Sequence, residues 1–256
     1  MYNSLSYSHE EIRQIKGIVE EVYNILKESL GNRISRFDIA GSLSKRTEVR
    51  GLSDVDLLLS VGDEYSGLTP LQVRRILKRV LRDKIKGAKI HNGDMALTIL
   101  YKKMDIQLIP VVPVEGGKVK VPKSDTSWSR PTDQKIFKNE LSNLFNMYQK
   151  DSRDKVPRVQ KVIKVMKKIE DQRPPNMKLP GYYIENVVYH ALKDGKCKRN
   201  DTSGVLLNYC YKYASKLILS NISEMSGQTL YVDSCLNKGQ AKNRVEISKQ
   251  LSTTAE

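Results

Sequence analysis

"FDIAGSLSKRTEVRGLSDVDLLLSV", residues 37–61, sets two carboxylates one residue apart inside an apolar run. Asp54 and Asp56 flank Val55, and Leu57, Leu58 and Leu59 follow. The run "SDVDLLLSV" reads as a strand, in which residues i and i+2 project to the same side. Both aspartates therefore stand together while Val55 and Leu57 point into a core. Adjacent carboxylates repel unless a cation lies between them or one is protonated. Two readings compete for the pair alone. One is a site for a hard divalent ion, which takes one or two carboxylates plus substrate phosphates. The other is an edge strand that uses charge to deter aggregation.

The flanking sequence favours the ion. Upstream, "RFDIAGS" is a short strand ending in a turn, where Gly41 lets the backbone approach a ligand closely. Ser42 adds a hydroxyl and an N–H that suit a phosphate oxygen. Lys45, Arg46 and Arg50 lie in the same connection. Downstream, "KKMDIQLIPVVP" places Asp105 on a second strand, on the face shared with Gln107 and Ile109 and opposite Ile106 and Leu108. Three carboxylates on neighbouring strands hold two metal ions in sites built for in-line nucleotidyl transfer. Asp105 is then the best-placed general base. Asp94, a rival for the third position, follows Gly93 and is more simply a turn residue.

The whole chain is compatible with such an enzyme. Its 256 residues, 39% hydrophobic and 29% charged, can bury a substantial core as one large domain or two small ones. No apolar run approaches the ~20 residues of a membrane span, and the N-terminus lacks a basic segment followed by an apolar block. Cys197, Cys210 and Cys235 show no CxxC spacing, as expected of reduced thiols. A cytoplasmic protein with no membrane partner is expected. The net charge of +15 favours polyanions as partners: nucleoside triphosphates, RNA or DNA.

Residues 8–30 are predicted as an amphipathic helix capped by Ser8 with Glu11, its stripe Ile12, Ile15, Val19, Val22 and Leu26. Thr69 caps a basic helix beginning at Pro70 and running to about residue 86. "DMALTILY" and "MDIQLIPVV" form a hairpin turning at Lys102 and Lys103. Helices are expected over residues 133–149, 154–171, 181–193, 209–222 and 239–251, with "QTLYVDS" a short strand. The expected fold is α+β: a mixed sheet with flanking helices in residues 1–130 and a mostly helical lobe in 131–256, the N-terminal helix packing across the two.

The pattern "AGS", eleven residues, "DVDLLL", then "DIQLIP" resembles the DNA polymerase β-like nucleotidyltransferase superfamily. "VPVEGGKVKVPKSDTSWSRPTDQKIF", "KVPRVQKVIKVMKKI" and "LPGYYIENVVYHAL" resemble segments of its cGAS/DncV-like branch, with CCA-adding enzymes the next nearest. The resemblance implies a catalytic sheet and a helical lobe with an active-site cleft between them. It also implies two Mg²⁺ ions (Mn²⁺ substituting) and transfer of a nucleoside monophosphate from an NTP, ATP foremost, to a hydroxyl. Products in that branch are cyclic or linear oligonucleotide messengers; in the CCA-adding branch the acceptor is an RNA 3′ end. By position, Gly41 and Ser42 match the phosphate-contacting turn, and Asp54, Asp56 and Asp105 the metal triad. Lys164 matches a triphosphate-contacting lysine and Tyr182 an aromatic near the base. Gly181 stands where a serine is frequent, and Met166 where a tryptophan is.

Other features carry two readings. Lys161, Lys164 and Lys168 lie opposite the stripe of Val159, Val162, Ile163, Met166 and Ile169, facing either a ligand or solvent. Tyr182 and Tyr183 either stack on a base or fill the core. Arg74, Arg75, Lys78, Arg79 and Arg82 form either a face for RNA or double-stranded nucleic acid or a solvated one. Trp128 is expected to lock the crossover, and His9, His91 and His190 to be structural.

Overall fold

The computed structural model describes residues 5–52, 54–133, 135–148, 156–193, 196–220, 236 and 238–255. They divide into two compact units, Tyr7–Gln134 and Lys135–Glu256, the latter including Met1–Ser6. Among the described residues no helix is long and apolar enough to cross a membrane.

The first unit opens with α1 (His9–Leu30). Its capping box forms as the sequence predicts. Ser8 Oγ accepts from the Glu11 N–H at 3.1 Å, and Glu11 Oε2 accepts from the Ser8 N–H at 2.8 Å. Ile15, Ile18, Val19, Val22, Leu26 and Leu30 are buried, while Ile12 is only partly covered. This helix belongs to the sheet unit.

β1 (Ile34–Ile39) leads through a short helix, α2 (Gly41–Lys45), to β2 (Val55–Val61). There follow α3 (Pro70–Lys84), β3 (Lys89–Asn92), β4 (Leu97–Tyr101), β5 (Met104–Pro113) and β6 (Val119–Lys120). The strands run β1-β2-β5-β4-β3, with β6 paired to the far end of β5. β2 and β5 are parallel neighbours, and every other pairing is antiparallel, so the sheet is mixed. Alternation assigns the faces. Val55, Leu57, Leu59, Ile106 and Leu108 are buried with the apolar stripes of α1 and α3, and Asp56, Gln107 and Ile109 occupy the other face. Thr69 and Gln72 form a second capping box ahead of Pro70. Trp128 locks the crossover as expected, its Nε1–H donating to the Leu68 carbonyl at 2.8 Å.

The second unit is helical: α4 (Ile136–Met147), α5 (Arg158–Asp171), α6 (Gly181–Lys193), α7 (Ser203–Leu217), α8 (Lys238–Lys242) and α9 (Arg244–Thr254). Their inner faces meet in one core that includes Val162, Ile163, Met166, Tyr183, Val187, Leu206 and Ile247. Met166 is fully buried there, an apolar filler at its position. Differences from the sequence reading are local. The helix expected over 209–222 starts earlier because Thr202 caps it, its side chain accepting from the Val205 N–H at 3.3 Å. The last helix breaks at Asn243, whose backbone leaves helical geometry (φ −95°, ψ 14°). The short strands β3 and β6 had no counterpart in the sequence reading. The expected strand "QTLYVDS" and Cys235 lie outside the described residues.

Candidate active site

The parallel pairing of β2 with β5 carries the site. Val55 lies opposite Ile106 and Asp56 opposite Gln107. One step back along the same register, Asp54 comes opposite Asp105. The two sheet carboxylates that the sequence placed 51 positions apart are thus neighbours at one end of the sheet. Their proximity registers electrostatically. The Asp54 carboxyl is raised above the ordinary aspartate value, first by partial burial and then by the charge of Asp105; a hydrogen bond from the Gln107 side chain opposes the rise.

Asp56 is placed differently. Gly41 has φ +58°, and a Cβ built there would stand 1.7 Å from Asp56 Oδ2 and 2.5 Å from its Cγ. The carboxylate therefore lies against the bare α-carbon of the turn, and only glycine satisfies both the left-handed backbone and the close approach. The adjoining Ala40 N–H donates to the Asp56 carbonyl at 2.8 Å, which fastens turn to strand. Ser42 is half-buried, and its carbonyl accepts from the Thr47 N–H at 2.9 Å. Lys45 is half-buried at the end of α2, and Arg46, exposed with φ 59°, terminates that helix. Arg50 is engaged away from the turn, its Nε 2.7 Å from Glu11 on α1.

Three carboxylates offer only oxygen, the donor that a hard divalent ion takes, and Asp54 and Asp105 relieve no repulsion by themselves. In donor chemistry alone the three carboxylates suit magnesium. As placed, however, the side chains are not gathered into one ligand set: among the described residues no group of three His, Cys, Asp or Glu is arranged to hold a metal ion. The strand register sets Asp54 beside Asp105, while the side chains as placed form no ligand set.

No protein-family model matches the chain, and no curated protein matches its sequence. Solved structures do resemble it. The CD-NTase CdnG of Bradyrhizobium diazoefficiens, in complex with GTP, superposes with a TM-score of 0.72 at 13% identity, over 99% of this chain and 87% of that one. DncV of Vibrio cholerae, a cyclic AMP-GMP synthase and prokaryotic cGAS homolog, gives 0.70 at 14% identity over 100% and 86%. CdnC of E. coli MS115-1 with ATP gives 0.69 at 13% over 99% and 93%. The chain has the CD-NTase fold. It is the polymerase β-like architecture, and at these identities the likeness is one of fold.

Within that CD-NTase fold the remaining expected residues divide. Tyr182, at the start of α6, is half-buried against the helical core, whereas Tyr183 is fully buried and is a core residue. Lys164 does not stand on an open face opposite the stripe of α5. It is 3% exposed, and its Nζ donates to Ser6 Oγ at 3.0 Å. Its neighbours Lys161 and Lys168 are half-buried. At Gly181, the departure from serine, the Lys167 side chain passes 3.3 Å from where a Cβ would be, on the way to an ion pair with Glu185.

The basic helix needs a correction. Arg74 is no part of a nucleic-acid surface. It is wholly buried, with Nη1 donating to the Asp94 carbonyl at 2.8 Å and Nη2 paired with Asp125. Arg75, Arg79 and Arg82 are exposed and Lys78 half-buried, so the outward face of α3 keeps the other four. Asp94, set aside by the sequence reading, serves through its backbone carbonyl. The sequence reading gave no role to Gln107 or to Thr98, whose Oγ1 donates to Gln107 Oε1 at 3.0 Å. Only the alternation that put Gln107 beside Asp105 pointed to it.

Proposed function

We propose that this chain is a template-independent nucleotidyltransferase that transfers a nucleoside monophosphate from an NTP to a hydroxyl, releasing pyrophosphate. Its products in this reading are cyclic or linear oligonucleotide second messengers, of the kind used in antiviral or anti-phage signalling. The observation that carries the reading is the register of β2 on β5, which sets Asp54 beside Asp105 while Gly41 receives the Asp56 carboxylate. The fold shared with cyclic dinucleotide synthases and with NTP-bound relatives supports it.

In this reading Asp54, Asp56 and Asp105 hold two magnesium ions, with manganese a substitute. When bound, the ions supply charge neutralisation of the triphosphate and activation of the attacking hydroxyl. Asp105 accepts the proton of that hydroxyl. Ser42, with the backbone of the Gly41 turn, takes phosphate oxygens, and Lys45 and Arg46 add positive charge beside them. Tyr182 offers a ring face to a base. Lys164 is the weaker nucleotide contact, because a phosphate reaching it must displace Ser6.

A second reading, addition of nucleotides to an RNA 3′ end, is favoured by one observation, the exposed Arg75, Arg79 and Arg82 on α3. One experiment separates the readings. Purified protein is incubated with all four labelled NTPs and Mg²⁺ or Mn²⁺, with and without RNA, and products are resolved by mass spectrometry. Oligonucleotide products without RNA, lost on adding EDTA, support the proposal. Lengthening of RNA alone favours the second reading. No transfer under either condition leaves a non-catalytic, nucleic-acid-binding module.

A further inference from the structure

Residues 173–179 lead through Pro180 into α6, and side chains from three helices hold them. Glu170, wholly buried at the end of α5, joins the two ends of the segment. Its carboxylate stands 2.8 Å from Arg173 Nε and accepts the Leu179 N–H at 3.2 Å. The last two helices grip the segment from the other side. The buried Gln240 amide on α8 donates to the Lys178 and Pro175 carbonyls, and Asn243 donates to the Asn176 carbonyl at 3.4 Å. On α9, Gln250 Oε1 accepts from Arg173 Nη1 at 2.7 Å and Thr254 Oγ1 from Nη2 at 2.8 Å. An irregular segment lacks ladder partners for its carbonyls, and this clasp supplies them.

A cavity of about 360 Å³ opens on the clasp, lined by Arg173, Glu246, Lys249, Gln250, Thr253 and Thr254. Small-molecule sites run from about 300 to 1,000 Å³, so a small metabolite fits. Every lining residue is polar, which calls for a hydrophilic ligand. The hydrogen-bonding capacity still open decides its charge. The Thr253 and Thr254 hydroxyls already donate to the Lys249 and Gln250 carbonyls. A guanidinium carries five N–H groups, and Glu170, Gln250 and Thr254 engage only part of that of Arg173. Glu246 and Lys249, one turn apart on α9 and both exposed, enter no ion pair among the described residues. The cavity thus offers cationic donors and one free carboxylate. An anion alone would face Glu246 as a like charge, and a cation alone would face Lys249 and Arg173. A molecule carrying both charges satisfies all three.

We propose that this cavity binds a small zwitterion of the amino-acid kind, its carboxylate on Lys249 and the open edge of Arg173, its ammonium on Glu246. Such a ligand joins α9 to Arg173 beside the Gln250 and Thr254 contacts, and so tightens the hold on residues 173–179. Those residues set the first turn of α6, so the ligand steadies Tyr182. This control rests on the nucleotidyltransferase reading above, in which Tyr182 meets a base; the binding does not.

The test begins with thermal melting of the full-length protein. The probes are L-glutamine, L-glutamate and glycylglycine as zwitterions, with inorganic phosphate and methylammonium as single-charge controls. At least one zwitterion is expected to raise the melting temperature by about 2–4 °C, increasingly with concentration, and the controls are not. Lys249→Met and Glu246→Gln, at exposed positions, should each abolish the shift without lowering the melting temperature of the unliganded protein. No shift with any zwitterion overturns the proposal, as does a shift that survives in both variants or one that phosphate reproduces in Glu246→Gln. In the labelled-NTP assay the stabilising zwitterion should lower the KM for NTP about fivefold at constant kcat. A melting shift with unchanged KM overturns the control. Absence of transfer under every condition overturns the enzymatic reading instead, with the melting shift still deciding the binding.

Discussion

The helical unit and the end of the sheet treat charge in opposite ways. In the helical unit Lys167 meets Glu185 at 2.7 Å and Arg173 meets Glu170 at 2.8 Å, each acid at most 1% exposed. Glu170 also accepts the Leu179 N–H at 3.2 Å. Burial still raises its carboxyl more than Arg173 lowers it, so the pair is structural at a desolvation cost. At the sheet end, like charges meet. Asp54 and Asp105 lie together, and no folding benefit comes from the encounter. The difference teaches where to look for chemistry. Opposite charges held together in a core explain themselves by packing, whereas like charges held together call for a third party.

The largest expected effect tests the side of the contrast that folding does not need. Asp54→Ala should lower nucleotide transfer about a thousandfold, since stabilising transition-state charge is worth several kcal/mol and each ~1.4 kcal/mol is a decade. Its thermal midpoint should not fall, because a repulsion disappears. Sharp destabilisation would break the contrast.

The next effect comes from the opposite kind of site. Arg74→Met leaves the Asp94 carbonyl without its donor while Asp125, 55% exposed, returns to water, and urea unfolding should show a loss of about 3 kcal/mol. Smaller again is Gly41→Ala. A methyl at φ +58° against Asp56 should cost about 1–3 kcal/mol and reduce transfer disproportionately, because the carboxylate must move. The smallest is the pair Arg75→Ala with Arg79→Ala, exposed on α3. Stability should stay within about 0.5 kcal/mol. A filter-binding titration across salt reports whether RNA retention falls with it, and an unchanged salt slope removes α3 from the partner surface.

The parts legible in the sequence share a physical trait: the determinants sit close along the chain. Ser8 with Glu11 and Thr69 with Gln72 are caps three residues apart, and both form. The aspartate pair, the Gly41 turn and the phase of Asp105 follow from strand alternation over a few positions. Arg74 shows the opposite case. It lies three residues before Leu77 and seven before Leu81, a spacing that places it on the buried face, but its partner Asp125 is 51 residues away. Lys164 fails to show itself for the same reason, being tied to Ser6 across 158 positions. The placement of the three acidic side chains was equally unreadable, because periodicity sets a face and not a rotamer.

The hairpin between β4 and β5 turns on Lys102 and Lys103, both left-handed at φ 50° and 64°. Two residues in that conformation make a tight reversal that usually asks for Asn-Gly. Lysines tolerate it here with Lys102 Nζ held by Glu21 at 2.7 Å. Counting begins at this reversal: Tyr101 faces Met104 and Leu100 faces Asp105. A single inserted residue would invert the parity of everything downstream, sending Asp105 inward and Ile106 out to water. The loop is thus the zero mark on the ruler, and a one-residue indel there is as damaging to the acidic trio as deleting one of its members.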